Sequence, residues 1–194
     1  PHVVSKMAVE GLVYEMKKMA KWVETISGIE VTEARLAQAV RLCNESRFLL
    51  KELHRLCEEG RIKGSEFVTV ALLRGVIAPA EWNRLAKELI DKAPEECIEV
   101  EVRLMLSAAA VEDLQLVDMV ESFGGNLSVH EYCDGLRSCH KLIEEDGDIW
   151  RNMAEFYMKE TMCQRFFNPG KRDSFINEII DRVPIDGVIT YGLS

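Results

Sequence analysis

The chain has 194 residues, of which 47% are hydrophobic and 29% are charged, an ordinary composition for a globular protein with one good core or two small ones. Its formal net charge of -9 excludes a nucleic acid as partner, because phosphate backbones are bound through Lys and Arg. No apolar run approaches the ~20 residues of a membrane span and no signal peptide is evident, so we expect a cytoplasmic protein without a membrane partner.

The first part of the chain has the hydrophobic period of helices. Apolar residues recur at steps of three and four from Val9 to Val23, and Gly28 can end this helix after about six turns. Thr32 is a good N-cap for a second long helix that runs to about Gly60. Two long helices in succession predict an antiparallel hairpin.

Two shorter helices are expected next. Ser65 can cap the first, and Pro79 suits the first turn of the second. Near Pro94 the helical period gives way to short apolar runs. We therefore predict a helical linking subdomain over residues 1–94 and a second domain over residues 95–194.

The second part alternates short apolar runs with helical patterns. Strands are predicted at 102–106, 126–130 and 187–191, and the segments between them predict helices that include 139–145, 149–162 and 172–182, with a turn at 168–170. In the last helix, the residues expected to face the sheet are Phe175, Ile176, Ile179 and Ile180. This order predicts an α/β protein in which an N-terminal helical segment precedes a partial Rossmann-like, doubly wound domain with a parallel sheet.

The predicted site lies where the strands end, because ligands of parallel sheets bind outside the carboxyl ends of the strands. Glu131 and Arg137 follow the second strand and are the candidate catalytic residues, a carboxylate and a guanidinium that would orient a substrate or a partner loop. A salt bridge that merely closes the loop is the open alternative. The candidate cofactor-binding residues are Ser107, Cys133 and Ser194. The backbone amides after Ser107 could bind an anionic group at a helix N-terminus. The alanines that follow Ser107 could equally serve only to pack a tight turn, and this alternative stays open.

The six cysteines contain no C-x-x-C pair, so reduced thiols are expected, with Cys43 and Cys57 on the apolar face of the second helix. Only Cys133 and Cys139 are expected near the strand ends. Cys139 and His140 are adjacent, which is a poor arrangement for two zinc ligands, and no metal site is predicted within this chain. Dinucleotide-binding and P-loop motifs do not occur.

Five collinear stretches carry a family resemblance: VTEARLAQAVRLCNESRFLLKEL, RLMLSAA, VESFGGNLSVHEYCDGLR, NPGKRDSFINEII and IDGVITYGLS. Together they resemble the 2-hydroxyacyl-CoA dehydratase subunits, that is, the 2-hydroxyglutaryl-CoA dehydratase D-component family, which includes benzoyl-CoA reductase subunits. The resemblance implies an oxygen-sensitive heterodimer of related subunits that acts on an acyl-CoA substrate. A [4Fe-4S] cluster would pass one electron to the thioester, the ketyl radical would eliminate water, and an ATP-hydrolysing activator would supply the electron.

The resemblance also suggests what this chain lacks. The chain begins without Met and ends on a strand, so we expect a fragment, and the cluster cysteines of the family lie outside it. No cluster and no turnover are therefore expected from the fragment alone. Cys133 matches a loop position rather than an established ligand, and Glu131-Tyr132 stands where the family commonly has an acidic pair. Two alternatives remain open: a subunit of a benzoyl-CoA-type reductase, and a non-catalytic iron-sulfur scaffold or docking subunit.

Overall fold

The computed structural model describes residues 4–111, 114–163 and 169–192. The helices in these ranges are α1 (Lys6–Ser27), α2 (Glu33–Glu58), α3 (Gly64–Leu73), α4 (Pro79–Lys92), α5 (Leu114–Ser122), α6 (Ile149–Lys159) and α7 (Pro169–Arg182). The strands in the same ranges are β1 (Val102–Ala108), β2 (Gly125–Glu131) and β3 (Gly187–Tyr191), and a 3-10 turn covers Leu136–Ser138. The α/β class with helices first and sheet second is confirmed.

The strands form one parallel sheet in the order β2-β1-β3. Helix α5 connects β1 to β2, and β3 then adds on the other side of β1, as in doubly wound sheets. The register pairs Ser107 of β1 with Glu131 of β2 and with Thr190 of β3. The predicted parallel sheet is therefore confirmed, and the carboxyl ends of its strands lie side by side.

The local signals at the helix ends act as predicted. The left-handed backbone of Gly28 (φ 69°) ends α1, and the Thr32 hydroxyl accepts a hydrogen bond from the Arg35 amide at the start of α2. Pro79 is the first residue of α4. These residues explain why the helical part has its breaks at these positions.

The predicted hairpin of α1 and α2 is wrong. Helix α1 packs mainly against α6, where Val13, Met16 and Ala20 lie around buried Trp150, whereas α2 packs mainly against α4. Only the N-terminal apolar residues of α2, such as Val40, join the α1–α6 cluster. The rest of the apolar stripe of α2 is covered by α3, α4 and β2, which leaves little of it for α1.

The predicted helix over residues 139–145 does not form. Asn44 of α2 donates to the Ile143 carbonyl at 2.8 Å and accepts from the Ile143 amide at 2.9 Å. The second bond occupies the Ile143 N–H, which in a helix over residues 139–145 would donate to the carbonyl of residue 139. The segment after Cys139 therefore runs as an irregular link between the 3-10 turn and α6.

Three smaller predictions are also wrong in detail. Ser65 lies inside α3, where its hydroxyl donates to Glu121 at 2.8 Å, and Lys63 is the N-cap. Pro169 and Gly170 belong to α7 rather than to a turn, and Asn168 lies outside the described residues. Ile180 is 42% exposed, although its neighbour Ile179 is buried against the sheet as predicted.

The main core joins the helical part to the sheet. Leu53 and Phe67 from the helices pack with Leu106 and Leu127 from the strands in one buried cluster. The division at residues 94 and 95 stays a prediction. Among the described residues, no helix is both long and apolar enough to cross a membrane.

Candidate functional site

A buried carboxylate marks the carboxyl edge of the sheet. Glu131 is the last residue of β2 and its side chain is fully buried. The Ser107 hydroxyl donates to its Oε2 at 2.8 Å, because the parallel register places the two residues opposite each other. The structure thus brings together two of the residues singled out in the sequence.

Two arginines hold this carboxylate from different directions. Arg137 donates through Nε to Oε1 at 2.5 Å and through Nη2 to Oε2 at 2.7 Å. Arg172 of α7 donates through Nε to Oε1 at 3.1 Å and through Nη2 to Oε2 at 2.8 Å. Glu131 therefore accepts two bidentate guanidinium pairs, a strong and geometrically fixed arrangement.

Arg172 also donates to the Ser107 hydroxyl at 3.1 Å, which closes the network between β1, β2 and α7. Sequence reasoning missed Arg172 as a member of the site. The only sequence signal for Arg172 was its place in the NPGKRDSFINEII stretch. Arg172 lies 41 residues after Glu131, and no local sequence pattern links residues so far apart.

The charge of the network is fixed by its partners. Burial by itself would raise the pKa of Glu131, but the hydrogen bonds from Arg137, Arg172 and Ser107 outweigh burial and hold the pKa below its usual value. The carboxyl group is therefore ionised at neutral pH. One carboxylate between two guanidinium groups leaves an excess of one positive charge at this edge of the sheet.

The loop after β2 is shaped by Gly135. A Cβ atom there would overlap the carbonyl oxygen of His130, so the loop can pass β2 this closely only with glycine. Cys133 at the loop tip is exposed, and its Sγ lies 3.8 Å from Nη1 of Arg137. Ser194, the remaining candidate, lies outside the described residues.

A cavity of about 430 Å³ lies beside this loop, between α2 and α6. Arg137 and Cys133 line it, together with Cys43 and Cys163, which were not expected near the strand ends. Cys43 is half-buried on the side of α2 that faces α6 and the loop, rather than deep in the helix core. Arg137 thus links the Glu131 network to an open space large enough for a small ligand.

The described residues do not fit an iron-sulfur cluster. They contain no group of three or more His, Cys, Asp or Glu side chains that could hold a metal ion. Burial raises the pKa of the Cys57 thiol, and burial raises that of Cys139 to about 12, so both are protonated thiols in the metal-free chain. That this chain alone takes up no cluster stays a prediction.

The fold and the site define an α/β protein whose parallel sheet presents arginines at its carboxyl edge. All residues from 1 to 194 match the family described as "2-hydroxyglutaryl-CoA dehydratase, D-component", and the chain belongs to this family. It is 22% identical over 187 residues to an Escherichia coli (strain K12) protein named "Putative dehydratase subunit YjiM". This match covers 90% of the chain and 48% of the relative, so the chain spans about half the length of that protein.

Proposed function

We propose that the protein containing this chain is a subunit of a dehydratase complex that eliminates water from a 2-hydroxyacyl-CoA. The family match over the whole chain is the observation that carries this proposal. The name of the E. coli relative supports a dehydratase subunit as well. The overall reaction converts a 2-hydroxyacyl-CoA into an enoyl-CoA and water and is neutral in electrons.

The finer parts of the proposal follow the family resemblance. One electron delivered to the thioester would give a ketyl radical that loses water, and the partners would be a related second subunit and an ATP-hydrolysing activator. The [4Fe-4S] cluster that the family implies would take its ligands from residues other than those described, since the described donors do not converge.

Within this chain, we assign the substrate contact to Arg137. Its Nε and Nη2 donate to Glu131, whereas Nη1 contacts, among the described residues, only the Cys133 sulfur, weakly, at 3.8 Å. Arg137 lines the cavity, so its Nη1 group is the donor available to a ligand there. It would donate to the thioester oxygen, where negative charge develops when an electron is added.

Glu131 is then a positioning residue, together with Ser107 and Arg172. Its carboxylate fixes the plane of the Arg137 guanidinium, so that Nη1 keeps one orientation without reorganisation during the reaction. The network also holds the carboxyl ends of β1 and β2 against α7.

The test is an anaerobic purification of the full-length protein with its partner subunit and activator, followed by a screen of acyl-CoA thioesters by mass spectrometry. We expect loss of water from at least one 2-hydroxyacyl-CoA, dependent on this protein. The Arg137→Lys variant should lose most of kcat, because Lys cannot bind Glu131 in a bidentate manner and also present a second donor. Arg84→Gln is the control, since Arg84 is exposed and pairs, within the described ranges, only with Glu88. Activity without this protein would contradict the proposal.

A further inference from the structure

The cavity beside Arg137 contains two arginines that the Glu131 network does not use. Arg74 donates to the Ser138 hydroxyl at 2.7 Å, and Arg47 donates weakly to Asn44 and Tyr157. Neither arginine pairs with a carboxylate in the described part of the chain. This lack of acidic partners is notable because acidic residues outnumber basic ones, 33 to 24.

The nearby acids do not supply the missing charge. Glu160 lines the cavity but is already bound by Lys141 at 3.0 Å and Lys171 at 2.5 Å. Burial, helped by the charge of Arg47, lowers the pKa of Arg74. The negative charge of nearby Asp134 opposes this shift without reversing it, and Asp134 forms no ion pair with Arg74. A partly buried guanidinium without an anion is costly, so an anion entering this cavity would be stabilised by both arginines.

The geometry of Arg47 is already fixed before any ligand enters. Its guanidinium carbon lies 4.9 Å from the centre of the Phe156 ring, which holds the planar group by a cation-π contact. Less side-chain freedom is therefore lost when an oxyanion binds. Arg74 is similarly oriented by Ser138, the last residue of the 3-10 turn.

His140 provides a second, independent polar group at the same cavity. Its Nδ1 lies 2.9 Å from the Arg137 carbonyl, and because a carbonyl only accepts, Nδ1 carries the proton. Nε2 is then an acceptor that is buried and has no hydrogen-bond partner in the described part of the chain. Its charged neighbour, Glu160 Oε2 at 3.8 Å, is also an acceptor, and the imidazole side chain is only 6% exposed.

We propose that Arg47 and Arg74 bind an oxyanion in this cavity and that His140 Nε2 accepts a hydrogen bond from a hydroxyl of the same ligand. The ligand class is an oxyanion that carries its own O–H group. Hydrogen phosphate and the carboxylate of a 2-hydroxy acid share this chemistry. The cavity is the one that Arg137 lines, so the choice of a 2-hydroxy acid rests on the proposed function, whereas the binding of phosphate does not.

The test is calorimetric titration of the protein, without partner or activator, with inorganic phosphate, 2-hydroxyglutarate and sulfate at constant ionic strength near pH 7.5. The ¹⁵N signals of the His140 imidazole are followed in parallel. We expect saturable binding of phosphate, 2-hydroxyglutarate or both, with a shift of the Nε2 signal; the ligand that binds identifies the source of the oxyanion. Sulfate, which has no O–H at this pH, should bind more weakly than phosphate.

Variants separate the contributions. Arg47→Gln and Arg74→Gln should each weaken binding by about 10- to 100-fold, as expected for a lost charge-assisted hydrogen bond, whereas Arg84→Gln should bind like the wild type. His140→Phe should remove the preference for phosphate over sulfate. Arg47→Gln alone tests the proposal should Arg74→Gln fail to fold. The proposal is overturned if neither phosphate nor 2-hydroxyglutarate binds, or if Arg47→Gln leaves affinity unchanged. The experiment measures binding and no turnover, so its outcome does not depend on whether the protein proves to be a dehydratase.

Discussion

Arg172 and Glu131 lie 41 residues apart in the chain, yet their side chains meet in two hydrogen bonds of 3.1 and 2.8 Å. The pair joins α7 to the carboxyl end of β2. Since Arg137 binds the same carboxylate from the loop side, Glu131 is the common anchor of strand, loop and helix. The arrangement explains why a fully buried carboxylate is tolerated at the edge of the sheet.

Replacing Glu131 by Gln should therefore destabilise the protein strongly. The variant leaves two guanidinium groups near one another without their counter-charge, and removal of one partner from a buried pair costs about 3–5 kcal/mol. The measurement is urea unfolding at pH 7. Glu88→Gln, which breaks an exposed pair with Arg84, should change the unfolding free energy by less than about 1 kcal/mol. Equal effects of the two variants would contradict this account.

The stability supplied by Glu131 should depend on pH in one direction. Its pKa is lower in the folded protein than in the unfolded chain, so its contribution is complete above the ordinary value of 4.5 and is lost as the pH falls towards the folded value. The difference in unfolding free energy between wild type and Glu131→Gln should thus shrink between pH 6 and pH 3. Urea unfolding at several pH values measures this difference. A difference that grows as the pH falls would contradict a lowered pKa of Glu131 in the folded protein.

Thiol reactivity should divide the cysteines by burial. Cys97 and Cys133 are exposed and should react with Ellman's reagent at pH 8 in the folded protein. Cys57 and Cys139 are buried, and burial raises the pKa of both thiols, so they should react only after unfolding. Peptide mapping of the labelled sites is the readout. Rapid labelling of Cys57 in the native protein would show that the packing of α2 against β2 is wrong.

A methyl group at Gly135 should disturb the loop after β2. The added Cβ would meet the carbonyl oxygen of His130, which is backbone and cannot rotate away, so Gly135→Ala should lower stability by about 1–3 kcal/mol. Gly11→Ala in α1 is the matched control, because no neighbouring atom lies within 4 Å of its Cβ position. That change should stabilise the protein by up to about 1 kcal/mol through helix propensity. Thermal unfolding of both variants compares them directly.

The parts of the fold that follow local rules could be predicted from the sequence. Gly28, Thr32 and Pro79 act at helix ends within a few residues of their own position, and the strands follow from short apolar runs between helical patterns. The parallel arrangement followed from the length of the connection between β1 and β2. The same reasoning placed Ser107 and Glu131 at neighbouring strand ends.

The parts that depend on distant residues could not be predicted. Asn44 prevents a helix at Ile143 by hydrogen bonds across 99 residues, and no local pattern shows this. Arg172 reaches Glu131 only because α7 packs on the sheet. The packing of α1 on α6 likewise depends on where the two amphipathic faces meet in space, which periodicity alone does not determine.

The most direct test of the proposed function is the ratio of reductant consumed to product formed in the anaerobic complex of the full-length protein, its partner subunit and the activator, with a 2-hydroxyacyl-CoA. Elimination of water involves no net oxidation or reduction, so an electron given to the substrate can return to the enzyme and serve another turnover. We predict many molecules of enoyl-CoA for each electron consumed. Two electrons consumed for each product, or reduction of an aromatic acyl-CoA in its place, would contradict a dehydratase and identify a reductase.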